Sequence, residues 1–248
     1  MAKVFTFTRD DVQSYQCDEQ IRGGTGYDLT SRLPNEIESI FPDYGLYNIK
    51  NTAYGFLTRG CPRHCNFCIV GDKEGLKSHK VADLKDFWNG QKNIELLDPN
   101  LLACDQWEEL LQQVIDSGAN VNVNQGMDIR LMTVEKQQMI NQSKIQTIHF
   151  AWDNYPDCPT YEKLKQFRPG FRLDDRHLKV YVLTNFNTTH AQDLDRVYRL
   201  REIGYDPYIM IYDKSNAPRQ TRLLQRWVNN KYIFRACTTF EDYDHRIG

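Results

Sequence analysis

Three cysteines, Cys61, Cys65 and Cys68, fall within the ten-residue stretch "RGCPRHCNFC" (59–68) of a chain that holds seven cysteines in 248 residues. The other four, Cys17, Cys104, Cys158 and Cys237, are scattered singly. An odd set distributed in this way does not match a secreted disulfide framework, so reduced thiols are expected. Buried structural cysteines are usually dispersed, which makes the grouped trio a candidate to hold a metal. Zinc in a structural site wants four ligands. His64 lies in the same loop, but its spacing to the cysteines fits neither a finger nor a ribbon. An iron-sulfur cubane fits better, since thiolates are its usual ligands and a tight loop can reach adjacent irons from one segment. Three thiolates then serve three irons. The fourth iron is left open to a small molecule, as a catalytic zinc keeps one position free.

Such a loop needs elements to hold it, and from about residue 53 the sequence alternates strand and helix patterns. "AYGFL" (53–57) leads into the cysteine loop, and "VADLKDFW" (81–88) spaces Val81, Leu84, Phe87 and Trp88 along one helical face. "NIELL" (93–97) reads as a buried strand. Asp105 with Glu108 resembles a capping box before a helix striped by Trp107, Leu110, Leu111, Val114 and Ile115 and ended by Gly118. Then come "NVNVN" (120–124), "TVEKQQMIN" (133–141), "TIHFAW" (147–152), a weaker helix at "YEKLKQF" (161–167) and "LKVYVLTNF" (178–186). A helix opened by Thr189 and Gln192 carries Leu194, Val197 and Leu200 to Gly204. "PYIMIY" (207–212) and "QTRLLQRWV" (220–228) form a sixth unit, and "YIF" (232–234) reads as an added edge strand.

Six strand-helix units in a row predict an α/β fold with parallel pairing and right-handed crossovers. The sheet is expected to be either open and doubly wound or a partial (β/α)6 TIM-like barrel. In both cases the working loops gather at the C-terminal ends of the strands. Residues 1–52 read as an N-terminal extension or the remnant of a doubly wound domain, with a strand at "KVFTFT", and residues 53–248 as the barrel. "GGTG" (23–26) reads as a plain turn rather than a phosphate loop.

Composition narrows the classes. Hydrophobic residues at 40% and charged residues at 26% describe a globular chain, and a net charge of -2 gives no bulk attraction to nucleic acid or membrane. No apolar run is long enough to span a bilayer and the N-terminus has no signal core, so a cytoplasmic location without membrane contact is expected.

The spacing Cys-x3-Cys-x2-Cys, with aromatic Phe67 before the last cysteine, resembles the signature of the radical S-adenosylmethionine (radical SAM) superfamily. The likeness covers roughly residues 53 to 235. "FLTRGCPRHCNFC" is most similar to the loop of the cobalamin-binding-domain-containing and methylthiotransferase-like subgroup. The sequence has no Asp-x-His-x-x-Gly cobalamin motif and no second cysteine trio. The resemblance implies a [4Fe-4S] cluster on Cys61, Cys65 and Cys68, with S-adenosylmethionine on the open iron. It also implies a reductant such as flavodoxin or ferredoxin, and a 5'-deoxyadenosyl radical that takes hydrogen from a substrate no motif identifies.

If the barrel holds, polar residues at strand ends surround the cofactor. Asp98, with Asn100, follows the second strand, where the family holds the methionine amino group. Gln125, Asp128 and Arg130 follow the third; Asp153, suited to a ribose hydroxyl, follows the fourth; and Asn185 follows the fifth. Phe67 joins these as a cofactor contact. Between Lys214 and Arg235 lie six basic residues (Lys214, Arg219, Arg222, Arg226, Lys231, Arg235) and no acidic one. They read as a charged helix face or, alternatively, as a contact for a phosphorylated or nucleic-acid substrate. A non-catalytic metal-binding module is the remaining class.

Overall fold

A computed structural model describes residues 29–246; the expected strand at "KVFTFT", the "GGTG" turn and Cys17 lie outside them. In chain order the elements are α1 (Asn35–Glu38), β1 (Thr52–Gly55), β2 (Thr58–Arg59), α2 (Val70–Glu74), β3 (His79–Lys80), β4 (Asn93–Leu96), α3 (Trp107–Ser117) and β5 (Asn120–Val123). They continue with α4 (Val134–Gln142), β6 (Ile145–Ala151), α5 (Cys158–Phe167), β7 (Leu178–Thr184), α6 (His190–Glu202), β8 (Asp206–Ile211), α7 (Arg219–Asn229) and α8 (Lys231–Ala236).

Six strands form one sheet in the order β1-β4-β5-β6-β7-β8, every neighbouring pair parallel. Spatial order therefore follows chain order. A doubly wound sheet reverses its order at a switch point, and this one does not. With right-handed crossovers all running the same way, the helices collect on one side. Burial agrees: Ala53, Ile94, Val121, Ile148, Phe150, Val180, Val182 and Ile209 are each 0% exposed and share one face of the sheet. The opposite face presents Tyr54, Glu95, Asn122, His149, Tyr181 and Tyr208, all partly or largely exposed. This is why "NVNVN" alternates where a parallel strand covered on both faces would read as a continuous apolar run.

The helices start and stop for local reasons. Thr189 and Gln192 close a capping box on α6, and Gly118 ends α3 in the left-handed conformation. Asp157 caps α5 through the Thr160 amide, with proline in its first turn, so this helix is longer than its sequence pattern suggested.

Three expectations are corrected. "YIF" is not an edge strand but part of α8, because the Asn230 side chain accepts from the Tyr232 and Ile233 amides and opens a new helix directly after α7. Residues 81–88 hold only a 3-10 turn, Leu84–Asp86, closed by an Asp83/Asp86 capping box. Gln113 of α3 binds the Leu84 amide and the Asp83 carboxylate there, at 2.8 and 2.7 Å, in place of a continuing helix. Asp105 does not cap α3; its carboxylate lies 3.1 Å from the Lys77 ammonium.

Ahead of the sheet, Tyr44 ties the preceding segment to edge strand β1. Its hydroxyl accepts from the Tyr54 amide at 2.9 Å and donates to the Phe87 carbonyl at 2.7 Å. Among the described residues no helix is long and apolar enough to cross a membrane.

Candidate functional site

The cysteine loop is not a simple extension of β1. The chain leaves the main sheet at Gly55, and β2 then pairs antiparallel with β3, matching Thr58 with Lys80 and Arg59 with His79. This small hairpin closes residues 60–78 into a loop stapled from inside. Glu74 accepts from the Arg59 guanidinium at 2.7 Å and from the Gly60 amide at 3.2 Å, and the Cys61 amide donates to the Gly75 carbonyl at 3.1 Å. Gly60 has φ +82°, and a Cβ there would lie 2.2 Å from the Lys77 carbonyl oxygen. Only glycine permits that turn and that approach.

Cys61, Cys65 and Cys68 are free thiols and each is partly exposed. The Cys68 amide bonds to the Cys65 carbonyl at 2.9 Å, which folds the second half of the trio tightly. Burial pushes the Cys65 thiol up, and the charges of Asp153, Cys68 and Cys61 push the same way against Arg130. The other described cysteines are engaged or set apart. Cys104 is buried and lies 3.2 Å from Gln106 Oε1, Cys237 lies 3.0 Å from the Thr239 carbonyl, and Cys158 stands at the start of α5.

Asp98 sits behind the loop, 0% exposed. It accepts from the Leu57 amide at 3.3 Å, the Thr58 amide at 2.5 Å and the Thr58 hydroxyl at 2.7 Å, so it fixes the root of β2 rather than facing the thiols. Burial raises its pKa to about 6 although these three donors favour the charged form. Asn100 is nearer the thiols: its Nδ2 donates to Cys61 Sγ at 3.5 Å, and its Oδ1 is buried with no partner among the described residues.

Around the rim, Arg63 of the loop pairs with the Asp128 carboxylate, which also receives Arg130 Nε at 2.7 Å, and Arg130 reaches Asp157 at 3.3 Å. Burial works to raise Asp128, but hydrogen bonds from Arg130 and Arg63 outweigh it and hold the carboxyl below its usual range. Asp153 accepts from the Leu183 amide at 3.2 Å, and burial lifts its pKa to about 6 against Arg196, that amide and Arg130. Phe67 packs edge-on to Phe186 at 5.6 Å, and Phe186 to Tyr212 at 4.8 Å, an aromatic run from the loop to the ends of β7 and β8. Asn185, at φ 59°, donates to the Asp213 carbonyl at 3.2 Å and joins those same two ends. Gln125 is exposed and makes no hydrogen bond to another described residue.

Sequence patterns missed the clamp behind this rim. Arg196 is 0% exposed and donates to the Trp152 carbonyl at 2.6 Å, the Leu183 carbonyl at 2.8 Å and Asp193 Oδ1 at 2.6 Å. It locks the C-terminal ends of β6 and β7 together, beside Asp153. A signal was present: Asp193 and Arg196 fall on the same stripe as Val197 and Leu200, where a helix with a plain apolar face carries no charge.

The basic segment is arranged differently. Arg219 contacts His245 Nε2 at 2.7 Å, Arg226 the His245 carbonyl at 3.1 Å, Arg222 the Ala217 carbonyl at 2.9 Å, and Lys231 the Asp206 carboxylate at 2.8 Å. Four of its six charges thus act as internal ties.

Among the described residues no group of three or more His, Cys, Asp or Glu is arranged to hold a metal ion. One ion needs donors converging on a point, whereas a cubane takes one thiolate at each of three irons. For the latter, the donor set is three reduced thiols in one stapled loop, with an unpartnered buried acceptor alongside. Neither a scan against protein-family models nor a search of curated proteins returned a match to this chain.

Proposed function

We propose that the chain is a radical SAM enzyme built on a partial (β/α)6 barrel, with Cys61, Cys65 and Cys68 as the ligands of a [4Fe-4S] cluster. The observation that carries this reading is the trio of free, partly exposed thiols in a stapled loop beside a parallel sheet whose strand order follows the chain. A parallel sheet whose strands follow chain order has the plan of a barrel that lacks its last units, and such folds work from the C-terminal rim.

Cys61, Cys65 and Cys68 would hold the cluster, and the chemistry it would supply when bound is one-electron reductive cleavage of the C5'–S bond of S-adenosylmethionine, giving methionine and a 5'-deoxyadenosyl radical that would take a hydrogen atom from substrate. The protein's own groups bind and orient. Asn100 Oδ1 is available to accept from the methionine ammonium, and Asp153 has the two acceptor oxygens a ribose diol needs. Arg130 offers a cation near Cys65, held by Asp128 and Asp157. Asp98 acts as a positioning residue through Leu57 and Thr58. The electron comes from an external carrier such as a flavodoxin or ferredoxin.

Anaerobic reconstitution tests the reading. The expected result is about four irons and four sulfides per chain, with 5'-deoxyadenosine formed after reduction in the presence of S-adenosylmethionine. Alanine at Cys61, Cys65 or Cys68 should bring both to background. Zinc without sulfide, or a cluster-loaded chain that never cleaves S-adenosylmethionine, overturns it.

A further inference from the structure

The open face of the sheet has a hydrogen-bonding character that can be worked out atom by atom. Glu95 of β4 receives Asn122 Nδ2 at 2.7 Å and Asn124 Nδ2 at 2.6 Å. A carboxylate only accepts, so both amides must turn their nitrogens to it, leaving each Oδ1 as an acceptor. His149 Nδ1 lies 2.9 Å from the Val123 carbonyl. A carbonyl also only accepts, so Nδ1 carries a proton, and because burial pushes the imidazole toward its neutral form Nε2 keeps a lone pair. The Tyr181 hydroxyl donates to the Asn124 carbonyl at 2.9 Å, which uses its proton too. Around Glu95, Asn122, Asn124 and His149 the surface is therefore rich in acceptors, with the donors of Asn93 and Lys179 lying to either side.

It is also aromatic. The His149 and Tyr181 rings stack at 4.9 Å and 10°, and Tyr181 meets Tyr208 of β8 edge-on at 5.8 Å. Tyr208 is 37% exposed and Tyr54, on the same face at the β1 edge, 42%. The face has two anions, Glu95 and Asp206, and one strand cation, Lys179, the register partner of both His149 and Asp206; Asp206 is itself tied to Lys231 of α8. Nothing in this balance favours a phosphate.

We propose that this face binds the substrate, and that the substrate is a neutral planar heteroaromatic ring with amino or ring N–H donors. The donors meet Glu95, Asn122 Oδ1, Asn124 Oδ1 and His149 Nε2, on the adjacent strands β4, β5 and β6 and the end of β5, and the ring lies beside the His149–Tyr181 stack; stacking on aromatic side chains needs no charge. The inference rests on the radical reading only for what happens to the ring once bound.

Equilibrium dialysis of 2-aminopurine against the reconstituted full chain tests it, with saturating S-adenosylmethionine and no reductant so that the cofactor's own adenine subsite is filled. Saturable binding is expected, at least tenfold weaker for unsubstituted purine. Asn122→Leu and Glu95→Leu, both on the open face and away from the core, should each weaken 2-aminopurine at least tenfold with cluster content unchanged. Four results overturn the proposal: no binding by a chain that makes 5'-deoxyadenosine, equal binding of purine, displacement by myo-inositol, or tighter salt-sensitive binding of the phosphorylated riboside. Failure of the cluster reading looks different, namely ring binding by a chain that assembles no iron-sulfur centre.

Discussion

The cysteine loop and the basic C-terminal segment are both conspicuous in the sequence, yet the fold treats them in opposite ways. In the loop, backbone and side chains are tied down by Glu74, Gly75 and Asp98 while the three thiols stay free and partly exposed. In the segment the charges themselves are the ties, with Arg219 and Arg226 holding the chain at His245 and Lys231 bridging to Asp206. Reactive groups that the scaffold supports without using are the better candidates for chemistry. Clustered charge that the scaffold uses is better read as packing.

The sharpest way to break that contrast is at Arg196. If the rim is a built fixture, Arg196→Met should cost about 3–5 kcal/mol in urea unfolding, because it strands Asp193 and two strand-end carbonyls in the interior. Adding Asp193→Leu should recover only part of this, since the carbonyls of Trp152 and Leu183 remain without donors. Full recovery would mean the ion pair, not the strand clamp, was what mattered.

Asp98 gives the next effect and carries a sign. The folded protein keeps its proton up to about pH 6, while the unfolded chain releases it near the ordinary 3.8. Its contribution to stability is therefore full below about pH 4 and is lost as pH rises to 6, a change of about 3 kcal/mol at 1.36 kcal/mol per unit. Asp98→Asn cannot titrate, so the advantage of the parent over this variant should be larger at pH 4.5 than at pH 7.5, by about 2–3 kcal/mol. An advantage that grows with pH would reverse the assignment.

The smallest effect belongs to the basic segment. Arg219→Gln and Arg226→Gln, both at exposed positions, should each shift unfolding by no more than about 0.5 kcal/mol and leave any substrate affinity independent of salt. A steep salt dependence that these changes flatten would restore a phosphate-binding role and erase the contrast.

Much of this was legible from pattern. The six strand-helix units emerge because apolar residues alternate along each strand, and the helix stripes turn the same residues toward one core. The cysteine spacing and most of the rim carboxylates followed from strand ends. What pattern could not show was competition between partners. Val81 to Trp88 has a helical period, but Gln113, distant in sequence, takes the Leu84 amide. "YIF" has strand composition, but one asparagine side chain opens a helix there. Asp98 falls at the expected strand end, yet its carboxylate turns back to Leu57 and Thr58, a choice made by backbone donors that a linear reading does not see.

Because spatial order follows chain order, each strand can join the sheet as soon as it leaves the ribosome, against a neighbour already made. The thiol loop belongs to the first unit, but Arg130, Asp153 and the Arg196 clamp come from units three, four and five. The loop is thus synthesised early and walled late, so for most of translation its sulfurs face solvent without the cations and carboxylates that later surround them. Assembly of the proposed cluster is accordingly expected only after the later units have folded, with the sulfurs open to oxidation before then.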